Sequence, residues 1–272
     1  MNRRTALAGI GGTLLGAAAT RVSDTTFLAE PTPGPHTPLP FYGGFASAIR
    51  PDLSRPTGAG SSLVWRADRT DLACALTFDD GPRPDWTPRV LEALAAENVP
   101  GTFFVKGVNV RDHSSIHADS LARHEIGNHT WDHPDLARLD LAACTEQLNR
   151  TTEAIHTAYG IVPTLFRPPY GHVGGSAVLA AAQAGLTTVF WSAQFREDLY
   201  VNHPAGIADG VAAMIHPGAI VLGHDTGPAN RLIAIDNLRA IIDRLRGLGY
   251  TFHTVSDLLA GARSAQGVAA AS

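Results

Sequence analysis

The chain has little sulfur, modest charge and no long apolar run, and each shortage excludes something. Two cysteines in 272 residues are too few for a disulfide scaffold. Export would permit one bridge, but Cys74 lies in a strand-like run and Cys144 on the apolar face of a helical pattern with Leu141, Leu148 and Ile155. Both are expected to be small core residues. Charged residues make up 17%, the formal net charge is -4 and the pI about 6.3. That balance excludes nucleic acid or another acidic polymer as the main partner. No uncharged apolar stretch reaches the roughly 20 residues a spanning helix needs, so no stable membrane partner is expected. With 44% hydrophobic residues the chain can still bury a sizeable core.

What is present falls into four parts. Residues 1–30 combine Arg3-Arg4 with TALAGIGGTLLGAAAT, the pattern of an export signal, of twin-arginine type by its arginine pair. An uncleaved anchor is the competing reading. Residues 31–61 form a Pro/Gly-rich extension; PTPGPHTPLP, residues 31–40, is read as extended linker that forms neither helix nor sheet. Residues 62–262 carry the domain, and 263–272 read as a flexible tail. The chain is thus expected to be exported, extracellular or cell-wall associated, and monomeric.

Within the domain, strand-like runs at 73–78, 101–105, 125–129, 163–166, 186–191, 219–223 and 250–254 alternate with helical periodicity at 87–97, 138–158 and 230–246. Alternation of this kind predicts parallel pairing with right-handed crossovers. About seven such units suit a single α/β domain, a distorted or incomplete (β/α)7–8 barrel of TIM type. Such barrels keep their chemistry at the C-terminal ends of the strands. The reactive residues here do follow the apolar runs: Asp79-Asp80, His129, Arg167 and His224.

Adjacent carboxylates at the end of a buried strand, in LTFDDGPRPD, require a cation to offset their repulsion. In HEIGNHTWDHPDL, His129 and His133 are four apart, which places both rings on one face of a helical turn. Two imidazoles and a carboxylate make a transition-metal set, with the Asp79-Asp80 pair supplying the third ligand. FRPPYG holds Arg167 and Tyr170 in a proline-fixed turn, and GAIVLGHDTG places His224 directly after an apolar strand.

Taken in order, TFDDGP, HTxxH, RPPYG and the late strand ending in LxH resemble the polysaccharide deacetylase family, also called the NodB-homology domain or carbohydrate esterase family 4. The resemblance runs from about Ala73 to Leu259. It implies a metal-dependent hydrolase that removes N-acetyl groups from N-acetylglucosamine-containing polysaccharide, chitin-like oligomers or peptidoglycan. It implies that Asp80, His129 and His133 hold one divalent ion, zinc first, with cobalt or nickel as alternatives. Asp79 becomes the general base, Arg167 its orienting partner, Tyr170 a backbone oxyanion donor and His224 the general acid. Leu222 would line the acetyl pocket, with Trp131 and Pro168 in the substrate groove. One stretch departs from the family pattern: in WSAQFREDLY, Gln194 stands near the first of two expected aspartates. Either Glu197 or Asp198 could be the second, the residue that tunes His224; Asp198 is the working choice.

Three other readings compete. An acetylxylan esterase would use the same site on an ester. A carbohydrate-binding member with a weakened site is suggested by Gln194. A non-haem Fe(II) oxygenase needs the same ligand types, but gains nothing from an adjacent base and a distant acid.

Overall fold

The computed structural model describes residues 39–40, 60–116, 120 and 123–269. The export signal and most of the 31–61 extension lie outside the described residues. The strands are β1 (Leu39–Pro40), β2 (Leu63–Val64), β3 (Ala73–Asp79), β4 (Thr102–Val105), β5 (Glu125–Asn128), β6 (Leu165–Phe166), β7 (His172–Val173), β8 (Thr187–Val189), β9 (Ala193–Gln194), β10 (Ala219–His224) and β11 (Thr251–Phe252). The helices are α1 (Thr87–Ala96), α2 (Gly107–His113), α3 (Leu141–Tyr159), α4 (Gly175–Gln183), α5 (Ile207–Met214), α6 (Leu232–Asp236), α7 (Leu238–Gly247) and α8 (Val255–Ala269).

The main sheet is parallel, in the order β2-β8-β6-β5-β4-β3-β10-β9, with β11 added against the start of β3. Its two ends do not pair with each other, so the curled sheet is an incomplete barrel. All seven residues of β3 are buried, as expected for a strand covered on both faces. Phe78 of β3 stacks on Phe103 of β4 at 5.2 Å between ring centroids. Outside the sheet, Leu238, Ile241, Ile242 and Leu245 form the fully buried stripe of α7. The Asp140 side chain accepts the Ala143 N–H to start α3, and left-handed Gly160 ends it. Cys74 and Cys144 are both buried and free.

Three expectations need correction. The 230–246 pattern is two helices rather than one, because Asn237 leaves helical geometry (φ -106, ψ 9) between α6 and α7. The last helix runs through Ala269, past the boundary set at 263 for a flexible tail. Leu39–Pro40, read as structureless linker, pairs antiparallel with His172–Val173. Proline is tolerated there because an edge strand needs no donor from it on its outer side.

Parallel register decides what meets at the top of the barrel. Asp79 and His224 are direct partners across β3 and β10, and partners in a ladder point to the same face. His129 follows β5 and Arg167 follows β6, so all four emerge at one rim.

Candidate active site

The site begins with a change of backbone direction. β3 ends at Asp79, and Asp80 adopts a left-handed conformation (φ 82). That turn lets two sequential carboxylates face one cleft, which continued strand geometry would forbid. Gly81 follows because a Cβ there would sit 2.0 Å from the Asp225 carboxylate. Thr130, His133 and Tyr170 are also left-handed, so four of the six described non-glycine residues with positive φ lie at this rim. Strain of this kind concentrates where geometry serves a site rather than the fold.

The two imidazoles do not share a helical turn, as their spacing suggested. They are joined by a loop with left-handed bends at Thr130 and His133. Asn128 braces the loop: its Oδ1 accepts the Thr130 N–H, and its amide donates to the Leu148 carbonyl and Thr152 Oγ1. Thr130 Oγ1 accepts the His133 N–H, and Gln147 accepts the Trp131 N–H. The side-chain hydrogen bonds replace the helical ones.

Asp80 Oδ1 lies 3.4 Å from His133 Nε2 and 3.7 Å from His129 Nε2. An ion about 2.1 Å from each of several tetrahedral ligands requires donors about 3.4 Å apart, so the three residues fit a single divalent ion. Among the described residues, this trio is the one cluster of His, Cys, Asp and Glu with such spacing. The Arg167 carbonyl, 2.7 Å from His129 Nδ1, takes the ring proton there and leaves Nε2 its lone pair for the cluster. His133 is pushed down to about 4 by burial and by the neighbouring His129, so it is neutral at ordinary pH and able to ligate. Burial pushes Asp80 up, but His129, His133, His224 and Lys106 outweigh it and hold the carboxyl at about 2.

Arg167 is fully buried. Its guanidinium donates to Asp79 Oδ1 at 2.8 Å, Thr77 Oγ1 at 2.6 Å and the carbonyls of Val189 and Phe190. It also lies over the Phe104 ring at 4.1 Å. A buried cation with this many acceptors fixes its carboxylate partner in place. Asp79 keeps Oδ2 toward the cleft, 3.8 Å from His129 Nε2. Across the ladder, burial presses His224 down to about 4 against the pull of Asp79. The Tyr170 ring stands edge-on against His133 at 4.6 Å. Beside Tyr170 a cavity of about 300 Å³ extends to Trp65, Trp191 and Gln194.

The profile of the polysaccharide deacetylase family matches residues 66–189. The peptidoglycan-N-acetylglucosamine deacetylase PgdA of Listeria monocytogenes is 36% identical over 192 residues, 70% of this chain and 39% of that protein. A chitooligosaccharide deacetylase of Rhizobium leguminosarum bv. trifolii is 35% identical over 202 residues, covering 70% of this chain and 93% of its own length. The chain belongs to the polysaccharide deacetylase family. Among solved structures, the Bc1960 peptidoglycan N-acetylglucosamine deacetylase superposes with a TM-score of 0.68 at 30% identity, over 72% of this chain and 92% of that one.

In this member of the family the structure thus brings together Asp79, Asp80, His129, His133, Arg167 and His224. Leu222 lies two residues before His224 on the same strand face, and Pro168 is buried at the start of the Tyr170 turn. Trp131 turns away from the cleft. It packs over Gly107 with the Arg150 guanidinium 4.1 Å above its ring, beside a groove of about 800 Å³. Asp198 is not brought to His224: its side chain is 59% exposed and lies beside Arg196. Glu197 is the less exposed member of that pair. Its Oε1 and the Nδ1 of His224 are both buried without a hydrogen-bond partner.

Several members of the site escaped sequence reasoning. Arg231 donates to Asp80 Oδ2 at 2.9 Å. Lys106, the one lysine of the chain, lies 4.0 Å from Asp80 Oδ1. Asn109 holds the Asp80 carbonyl at 2.7 Å. Asp225, pushed up to about 7 by burial, accepts from Thr87 Oγ1 at 2.6 Å. Only Asn128 and Asp225 left a signal, each adjoining a motif histidine.

Proposed function

We propose that this protein is a metal-dependent hydrolase that removes N-acetyl groups from N-acetylglucosamine-containing polysaccharide, chitin-like oligomers or peptidoglycan. The observation that carries the reading is the pairing of Asp79 and His224 across adjacent strands, beside a three-residue set spaced for one ion. The relatives named as peptidoglycan and chitooligosaccharide deacetylases support the substrate class.

Asp80, His129 and His133 would hold the ion, zinc by its preference for nitrogen and carboxylate ligands. When bound, it supplies Lewis acidity to the attacking water and to the acetyl oxygen. Asp79, aimed by Arg167, takes the proton from that water. The Tyr170 backbone N–H faces the oxygen on which negative charge develops. His224 delivers a proton to the leaving amine, which could not depart as an anion. Because burial disfavours imidazolium at His224, its acid form is costly to make and gives up its proton readily. Leu222 and Pro168 line the entry for the acetyl group and sugar.

The protein is exported by its N-terminal signal and acts as a monomer on extracellular or wall glycan. Among the described residues no helix is long and apolar enough to cross a membrane. The test is acetate release from chitin oligomers, peptidoglycan and acetylxylan, with and without chelator. Chelator-sensitive release from the first two supports the proposal. Release from acetylxylan alone makes the protein an esterase, and release from none of them defeats the reading.

A further inference from the structure

Asp80 carries more than a metal ligand normally does. Its Oδ1 faces the two histidines, while its Oδ2 is taken by Arg231 at 2.9 Å. The same Nη1 of Arg231 also donates to the Thr226 carbonyl at 2.7 Å, so the guanidinium is itself held. It lies flat against Gly227, where a Cβ would come within 2.4 Å of Nη1 and where the backbone has φ 129. The chain has therefore left room for this side chain, in a segment that connects β10 to α6. From the other direction, the Asp80 backbone is pinned by the Asn109 amide on its carbonyl and by its own N–H on the Phe104 carbonyl. What remains free in Asp80 is rotation of its carboxylate, and Arg231 is the group that stops it.

We propose that Arg231 is a positioning residue of the metal centre, holding one oxygen of Asp80 so that the other is presented to His129 and His133. The inference rests on the metal reading of that trio and adds a residue that none of the sequence motifs contains. Arg231 touches neither substrate nor reacting atoms in this role. It acts through Asp80, as outer partners of ligating carboxylates do in other metal sites, where their loss weakens metal binding about 10–100-fold. A competing effect has the opposite sign. The guanidinium is a cation close to a cation site, so a residue that merely sat nearby would weaken binding by repulsion, and its removal would tighten it. The direction of change therefore separates the two roles.

The test is cobalt(II) titration of the full-length wild type, Arg231→Ala and Arg231→Lys. Visible absorption and chelator competition follow the metal, and circular dichroism follows the fold. Arg231→Ala is expected to bind cobalt about 10–100-fold more weakly, with an altered absorption band, and millimolar guanidinium is expected to recover part of the loss. Arg231→Lys, which keeps the charge but not the planar fork, should fall between the two. Cobalt affinity in Arg231→Ala equal to or tighter than wild type, with an unchanged band, overturns the proposal. Should the alanine variant not fold, the lysine variant decides: wild-type affinity and spectrum overturn the proposal, and weakened binding supports it. If wild type itself binds no cobalt, the metal reading fails and takes this inference with it.

Discussion

Around Asp79 the buried polar groups are tied to one another, whereas around His224 two of them are not. On the first side, one guanidinium serves Asp79, Thr77 and two strand carbonyls, and the Arg167 carbonyl orients His129. On the second, His224 Nδ1 and the Oδ1 of the adjoining Asp225 are buried with no hydrogen-bond partner. Buried polar atoms are nearly always paired, so each exception calls for an explanation, a catalytic role or an ordered water among them. On the Asp79 side the fold therefore completes the hydrogen bonding in advance, the kind of order that preorganised sites require. The His224 side is left with unused hydrogen-bonding capacity.

The largest effects are expected on the completed side. Asp79→Asn should lower kcat about 10²–10⁴-fold, the usual worth of a general base, while zinc stoichiometry stays at the wild-type value. Loss of metal together with activity would mean that Asp79 is a ligand and not a base. Arg167→Met should be next, destabilising the protein by about 3–5 kcal/mol because it strands the buried Asp79 carboxylate. Urea unfolding of the metal-free protein measures this, and a change below about 1 kcal/mol would show that Asp79 is not held as described.

A third prediction concerns pH. Burial holds His133 and His224 at about 4 in the folded chain, against an ordinary value near 6.5. Between those limits the unfolded chain binds more protons at both, so folding stability rises with pH. Asp225, raised to about 7, and Glu197, also raised by burial, work in the opposite direction, while His124, lowered by burial, adds to the two histidines and leaves them the majority. Metal-free protein should therefore be less stable to urea at pH 4.5 than at pH 6.5, and His224→Ala should flatten the difference. Equal stability at both pH values would contradict the burial of the two rings.

The smallest effects sharpen the acid side. Asp198→Asn, at an exposed carboxylate, should leave stability within about 0.5 kcal/mol and the pH–rate profile unmoved. Glu197→Gln tests the other carboxylate: a shift toward lower pH in the limb of that profile that reports the acid would give Glu197 the tuning role, and an unmoved limb would deny it one. The reverse pattern would return the tuning role to Asp198.

The same contrast governs what could be read from the chain. The strands of the barrel and the convergence of Asp79, Asp80, His129 and Arg167 at one rim were legible, because continuous apolar runs and strand-terminal polar residues are local signals. The loop between His129 and His133 was misread as helical because i, i+4 spacing is shared by a helical turn and by a loop with two left-handed bends. Glu197 against Asp198 could not be settled, since which of two adjacent carboxylates turns inward depends on the left-handed Arg196 before them (φ 53). Arg231 and Lys106 reach Asp80 from distant segments, and nothing in their own neighbourhoods points there.

The central claim is that Asp80, His129 and His133 together hold one divalent ion on which hydrolysis depends. It is tested most directly by stripping the protein with chelator, restoring zinc in measured amounts, and following bound zinc and acetate release in wild type and His133→Ala. One zinc per wild-type chain is expected, with acetate release that rises in step with it, and neither in the variant. Acetate release that persists at full rate in the stripped protein would contradict it.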